Sequence, residues 1–323
     1  MVEIGYHLSS EEHGPKDLIR YAQRAEQAGF QFATISDHYL PWLDQQGNSP
    51  FAWTVLGGVA QATSRLQFGT AVTAPIIRYH PAILAQAAAT VATMAPGRFW
   101  LGVGAGENLN EHILGKHWPE AGIRREMLAE AVDIIRQLWT GDWISYYGSY
   151  FQVENARIYT LPDEPPPIYF AAASSATIDL AGWIGDGLIT TTPSAKQVEA
   201  FRQADSDGGK KPCYGKLTIC WAETGAEARH IAYEWWRQAA VPGLGSILPL
   251  PQYYEDASKL VTKDDVAKSL LVGPGAERQL AAIQQFVDAG FDHVFIHQVG
   301  PDQEGFFRFY ERDVLPQLSK SST

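Results

Sequence analysis

Along the chain, apolar positions alternate between short β-branched runs and longer stretches in which small and apolar residues recur every three or four positions. The first pattern belongs to a strand buried on both faces and the second to an amphipathic helix, so the alternation predicts about eight parallel β/α units. The predicted strands are Ile4–Leu8, Phe32–Ser36, Leu66–Val72, Arg98–Val103, Pro167–Ala172, Gly187–Thr190, Leu217–Ala222 and His293–Gln298. Predicted helices cover Lys16–Ala28, Phe51–Ser64, Ala82–Met94, Arg124–Leu138, Glu227–Ala240, Asp264–Leu271, Glu277–Ala289 and Glu304–Leu315. Gly29 stops the first helix and Pro96–Gly97 follows the third, each a residue type that helices end on. Alternating aromatics around Gly148–Ser149 in DWISYYGSYFQV predict an inserted β-hairpin. The stretch VPGLGSILPLPQYY (241–254) has too much Gly and Pro for regular structure and too much apolar surface for a disordered linker, and reads as a lid.

This alternation suits either a doubly wound sheet or a closed barrel. A doubly wound sheet would use GVGAGE (102–107) as its dinucleotide turn, but G-x-G-x-x-G needs glycine where Glu107 stands. The first β/α turn, LSSEEHGPKD, carries no such fingerprint either. In a barrel, SDHYLPW (36–42) and LGVGAGENLNEH (101–112) both fall just past strand ends, on the face where barrel enzymes keep their active sites. The expected fold is therefore a (β/α)8 barrel, one domain over residues 1–323, with hairpin and lid insertions.

Composition narrows the function. The chain has 323 residues, 46% hydrophobic and 19% charged, enough to bury a large core. A formal charge of −11 without a Lys/Arg cluster argues against nucleic acid as a partner. Cys213 and Cys220 offer neither a disulfide framework nor a zinc spacing and read as core thiols. MVEIGYHLSS enters a strand at once, and no segment reaches about eighteen apolar residues, so a cytoplasmic protein without membrane attachment is expected.

Several residues could carry chemistry. His38 is a candidate general base, since an imidazole titrates near neutrality, and its aromatic surroundings Tyr39, Pro41 and Trp42 suit a pocket. A histidine merely satisfied by hydrogen bonds is the structural alternative. Strand alternation sends Asp37 and His38 to opposite sides, so Asp37 need not orient the imidazole. Glu107 follows Gly102, Gly104 and Gly106, which let backbone approach a ligand; it could exchange protons or begin a helix, as could Asn110 and Glu111 nearby. AAASSAT (171–177) places small residues and hydroxyls where a helix begins, suited to a phosphate or to ordinary capping. GTAVTAPIIRYHP (69–81) brings Arg78, Tyr79 and His80 to a turn before a proline-started helix. His293 and His297 face one way on a strand without a carboxylate or cysteine beside them, so no metal site is read; nucleophile-elbow and Walker motifs are absent.

GYHLSSEEHGP, SDHYLPW, GTAVTAPIIRYHP, GRFWLGVGAGENLNEH, REMLAEAVDIIRQLWTG, AGWIGDGLITT and GFDHVFIHQVGPDQ together resemble the luciferase-like flavin and deazaflavin oxidoreductases. Within that group the chain is similar to the coenzyme F420-dependent glucose-6-phosphate dehydrogenases. The resemblance implies a luciferase-like barrel in which His38 takes the substrate hydroxyl proton, Trp42 lines the pocket and Glu107 is the acid beside the reduced ring. It places Asp37, Ala105, Gly106, Asn110, Ala173 and Ser174 at coenzyme contacts, and a cis peptide between Ala71 and Val72 under the ring. Glu11 and Thr191 match substrate-pocket positions. Where sugar-phosphate enzymes of the family carry lysines, this chain has Ser194 and Asp256, which implies an alcohol or carbonyl substrate other than a sugar phosphate. Coenzyme F420, a small-molecule substrate and a homodimer are the implied cofactor and partners. An FMN-dependent monooxygenase and a non-catalytic flavin-binding paralogue are the competing readings.

Overall fold

The eight predicted parallel strands close on themselves in a computed structural model describing residues 2–205, 208, 211–241 and 243–320. They are β1 (Glu3–Leu8), β2 (Phe32–Ile35), β3 (Gln67–Thr70), β4 (Phe99–Val103), β5 (Ile168–Ala171), β6 (Gly187–Thr190), β7 (Cys213–Cys220) and β8 (His293–Gln298). Neighbours pair in chain order, from Gly5 opposite Phe32 through Leu188 opposite Cys213 to Ile296 opposite Leu217. β8 returns to β1, with Glu3 opposite His293, and this pairing closes the luciferase-like (β/α)8 barrel.

Two packed layers follow from strand alternation. Phe32, Trp100, Tyr169, Ile189, Tyr214 and Phe295 fill the lumen. Their bulk is accommodated by glycine on adjacent strands: a Cβ on Gly69 would lie 2.2 Å from the Trp100 ring, and one on Gly5 would lie 2.3 Å from Phe32. Outward-facing residues such as Ile4, Leu101 and Val294 are buried against the helices. Helix α1 (Pro15–Ala28) shows why: Leu18, Tyr21, Ala22 and Ala25 fall on one face, and Gly29 ends it in a left-handed conformation with φ 96°.

The hairpin forms from Ile144–Tyr147 and Gln152–Ala156, and Glu130 accepts the backbone N–H groups of Ser149, Tyr150 and Phe151 at its tip. Cys213 and Cys220 are buried free thiols on β7. Among the described residues no helix is long and apolar enough to cross a membrane.

Several element ends shift by a few residues from expectation, and three of the differences bear on the site. The third strand stops at Thr70, although Ala71 N still donates to Ile35 O and Thr73 rejoins Val103 in an isolated bridge; the Ala71–Val72 peptide between them is cis. The seventh begins at Cys213, four residues before Leu217, because Gly215 and Lys216 interrupt the apolar run that marks a strand in sequence. The lid is irregular only in part: Pro251 starts a helix, Pro251–Ala257, within its last turn. The preceding loop is tied down where Asn108 donates from its backbone N to Ser246 O (3.2 Å) and from Nδ2 to Ile247 O (2.8 Å).

Candidate active site

A cavity of about 800 Å³ opens at the C-terminal ends of the strands, beneath the 241–254 segment. That volume takes a planar ring system together with a small substrate. Its lower rim is built by residues leaving β1, β2 and β4.

His38 follows β2 and is 9% exposed. Its Nδ1 lies 3.1 Å from the Leu40 carbonyl, which can only accept, so Nδ1 carries the hydrogen and the lone pair of the neutral ring sits on Nε2. Nε2 stands 3.4 Å from Glu11 Oε1 and 3.4 Å from Glu107 Oε2. A proton arriving at Nε2 is thus met by two carboxyl groups. Trp42 packs its ring 5.0 Å from the imidazole and donates from Nε1 to Glu11 Oε1 at 3.1 Å.

The two carboxyls differ because their surroundings differ. Burial alone would push Glu11 up, but the His38 and Lys216 charges and the hydroxyl of Ser36 outweigh it and hold Glu11 at about 2. Ser9 and Ser10 also donate to it, at 3.3 and 3.4 Å. Glu107 is raised by burial, with Glu11 adding to the rise and His38 opposing it. It occupies the N-cap position of the helical turn Asn108–Glu111, yet its side chain makes no cap; it turns to His38 and accepts from Asn110 Nδ2 at 3.2 Å. The two carboxyls on one imidazole are thus shifted in opposite directions, Glu11 down and Glu107 up.

Asp37 diverges from His38, as alternation requires. Its carboxylate accepts from Thr73 Oγ1 (2.7 Å), Tyr79 OH (3.0 Å) and Arg78 Nη2 (3.0 Å). Arg78 also donates from its backbone N to Glu111 at 2.6 Å, and burial beside this latch pushes the Glu111 carboxyl up to about 7. Asn110 Oδ1 accepts from Tyr39 N at 2.8 Å and thereby holds the His38 loop. The far wall, Ala71–Val72, Gly104–Gly106 and Ala171–Ala173, is made of small residues. A Cβ on Gly104 would meet Val72 Cγ2 at 2.7 Å, and Gly106 has φ 71°. This flat cradle fits a planar ring laid against backbone.

Of the catalytic, coenzyme and substrate positions implied by the resemblance, all but Ser174, Ser194 and Asp256 line the cavity, and Arg78, Tyr79 and His80 stand outside its lining. Ser174 and Ser194 are each the N-cap of their own helix, accepting from Thr177 N (3.3 Å) and Gln197 N (3.4 Å). Among the described residues no His, Cys, Asp and Glu cluster could hold a metal.

Sequence reasoning missed the lumen side of the floor. Lys216, on β7, faces the cavity with Nζ 3.5 Å from His7 Nε2. Burial lowers its pKa, while Glu11, Glu107 and Glu12 work the other way. His7 is held well below the ordinary histidine value by burial and by Lys216. His297 gains the carboxylate that its own segment lacks: Glu12 Oε2 lies 2.8 Å from Nε2. The available signal was alternation, since Tyr214 and Lys216 share one face of a strand whose start was placed too late. Trp236 and Tyr254 also line the cavity; Tyr254 ends the segment read as a lid, whereas nothing local in the sequence marked Trp236.

Comparison with known proteins agrees with this architecture. The chain is 35% identical to the F420-dependent glucose-6-phosphate dehydrogenase of Amycolatopsis mediterranei, covering 98% of this chain and 99% of that one. It is 36% identical to the enzyme of the same name from Kribbella flavida, covering 99% of each. The solved structure of an F420-dependent secondary alcohol dehydrogenase in complex with an F420-acetone adduct superposes with a TM-score of 0.90 at 30% identity, over 97% of this chain and 98% of that one. A closed barrel, a small-residue cradle at its mouth and a family profile that spans residues 1–293 agree with one another, and the chain belongs to the luciferase-like monooxygenase family.

Proposed function

We propose that this protein is a coenzyme F420-dependent oxidoreductase that moves hydride between the deazaflavin and a small alcohol or carbonyl compound. The observation that carries the reading is His38 Nε2 held between Glu11 and Glu107 in a cavity walled by small residues. The F420-dependent relatives, alike over nearly their whole length, support the choice of coenzyme.

The residues divide the work. When bound, the deazaflavin supplies a ring carbon that accepts or returns hydride. Ala71, Val72, Gly104, Ala105, Gly106 and Ala173 form the wall that would hold the ring, with Asp37 and Asn110 fixing the loops around it. His38 receives the substrate hydroxyl proton at Nε2, and the Glu11 carboxylate faces the imidazolium that results. Glu107, whose carboxyl burial raises, faces Nε2 from the other side and is the group placed to exchange a proton on this floor. Trp42, Trp236 and Tyr254 narrow the opening and keep water from the reacting groups.

A sugar phosphate suits this pocket poorly. Ser194 caps a helix, and Asp256 lies exposed with its carboxylate 2.7 Å from Lys259 Nζ. Among the described residues, Lys216 is the sole lysine or arginine lining the cavity. The chain is further read as one barrel domain over 1–323, cytoplasmic and homodimeric. Support for the dimer is an apolar groove between the second and third helices where Phe51, Ile83 and Met94 are exposed. Sedimentation of wild type and Ile83→Glu tests it, and a wild-type monomer ends it.

Titration of the purified protein with coenzyme F420 and with FMN, followed by ring fluorescence, decides between a deazaflavin enzyme and an FMN-dependent monooxygenase. Saturable F420 binding with reduction of the coenzyme by alcohols is the expected result. Tight FMN binding with no response to F420 would overturn it, and F420 binding without turnover of any alcohol or ketone would favour a non-catalytic paralogue.

A further inference from the structure

Lys216 helps keep Glu11 ionised through space, but it touches none of His38, Glu11 and Glu107. β7 carries it into the lumen one alternation above Tyr214, which stacks on Tyr169 with ring centroids 5.1 Å apart, so its chain rises on an aromatic floor toward the cavity. The residue is half-buried and lines that cavity. An ammonium carries three donors, and the protein meets one of them, through His7 Nε2 at 3.5 Å. His7 is itself fixed by Thr34 Oγ1 at 2.7 Å from Nδ1. Glu11, Glu12 and Glu107 act on Lys216 through space, yet it closes an ion pair with none of them. His38 touches Glu11 and Glu107 directly. Two polar groups therefore face one cavity, an imidazole that can take a proton and an ammonium with donors to spare.

We propose that Lys216 binds a second substrate oxygen, vicinal to the hydroxyl that His38 deprotonates, so that the enzyme's substrates are neutral 1,2-diols and the corresponding hydroxyketones. This inference rests on the oxidoreductase reading of the site. Neutrality follows from the charges: the Glu11 carboxylate shares the floor with this one ammonium and offsets it, so a carboxylate or phosphate next to the reacting carbon meets no surplus of positive charge, whereas a hydroxyl simply accepts from Nζ. In the oxidation the carbinol C–H leaves with its electron pair as hydride to the coenzyme, and the O–H proton goes to His38. The C–O bond becomes C=O, and the hydroxyl on Lys216 is unchanged.

A hydrogen bond to a charged donor corresponds to a preference of about 10- to 100-fold. The test compares propane-1,2-diol, propan-2-ol and lactate. Binding to the coenzyme-free protein is read by quenching of Trp42 and Trp236 fluorescence, and kcat/KM is measured with coenzyme F420 present. Wild type should favour the diol over propan-2-ol by that factor in both readouts, with lactate no better than propan-2-ol. In Lys216→Met the diol preference should fall to about threefold or less. A merely structural lysine would lower both substrates together and leave the ratio intact, which overturns the proposal. Equal handling of diol and propan-2-ol by wild type, or a preference for lactate, overturns it without any variant; should Lys216→Met not fold, Lys216→Leu, which likewise has no donor, gives the same ratio test. Diol binding without any F420 response would remove the coenzyme assignment and leave the Lys216 site standing.

Discussion

Glu11→Gln removes one charge from the site while keeping the side chain's shape. The Glu11 carboxyl sits at about 2 against an ordinary 4.5, because His38, Lys216 and the Ser36 hydroxyl overcome the cost of its burial. A depression of that size corresponds to about 3 kcal/mol of native-state stabilisation by the ionised form. Because the folded value lies below the unfolded one, this stability is fully present above about pH 4.5 and is lost as pH falls toward about 2. Urea unfolding followed by tryptophan fluorescence should therefore place Glu11→Gln about 3 kcal/mol below wild type at pH 7. The gap should narrow to about 2 kcal/mol at pH 3.5, where wild type has begun to lose the contribution. Turnover should fall too, since the imidazolium of His38 loses a facing carboxylate 3.4 Å away. A gap below about 1 kcal/mol at pH 7, or one that does not change with pH, would refute the electrostatic account of this floor.

Other substitutions separate the remaining roles. His38→Ala should lower kcat by about a hundredfold or more with coenzyme affinity near wild type, and an unchanged rate in steady-state assays would remove His38 from the chemistry. Gly106→Ala should cost about 1–2 kcal/mol in thermal unfolding and weaken coenzyme binding, because φ is 71° and the new methyl would sit 3.1 Å from Ile76 Cδ1 and 3.2 Å from Ala74 Cβ. Arg78→Met leaves the fully buried Asp37 carboxylate and Glu111 without their cation, and should lose about 3–5 kcal/mol by denaturant titration; a loss under about 1 kcal/mol would show that Thr73 and Tyr79 suffice.

Much of the fold was legible because it is written in local periodicity. Strand positions were set by β-branched runs, helix ends by Gly29 and by proline at first turns, and the hairpin by aromatics alternating about Gly148. Errors came where a polar or glycine residue does lumen work inside a strand, as Gly215 and Lys216 do in β7. At GVGAGE the exclusion of a dinucleotide turn rested on Glu107, and the structure puts that residue beside His38. His38, Trp42 and the glycine turn were visible as motifs because each lies within a few positions of a strand end. Ser174 and Ser194 were visible too, but a hydroxyl at a helix start caps that helix, and neither reaches the cavity.

By itself, the order of residues determined the eight β/α units and the motifs that stand just past their strand ends, since both depend on neighbours close in the chain. Only the tertiary structure decided how the site is charged. Glu11 and Glu107 meet at one imidazole from positions nearly a hundred residues apart, Glu12 reaches His297 across the closing seam, and Lys216 comes up from the lumen with donors unspent. A pKa or an open donor belongs to the set of groups within a few ångströms, and that set exists only once the barrel has closed.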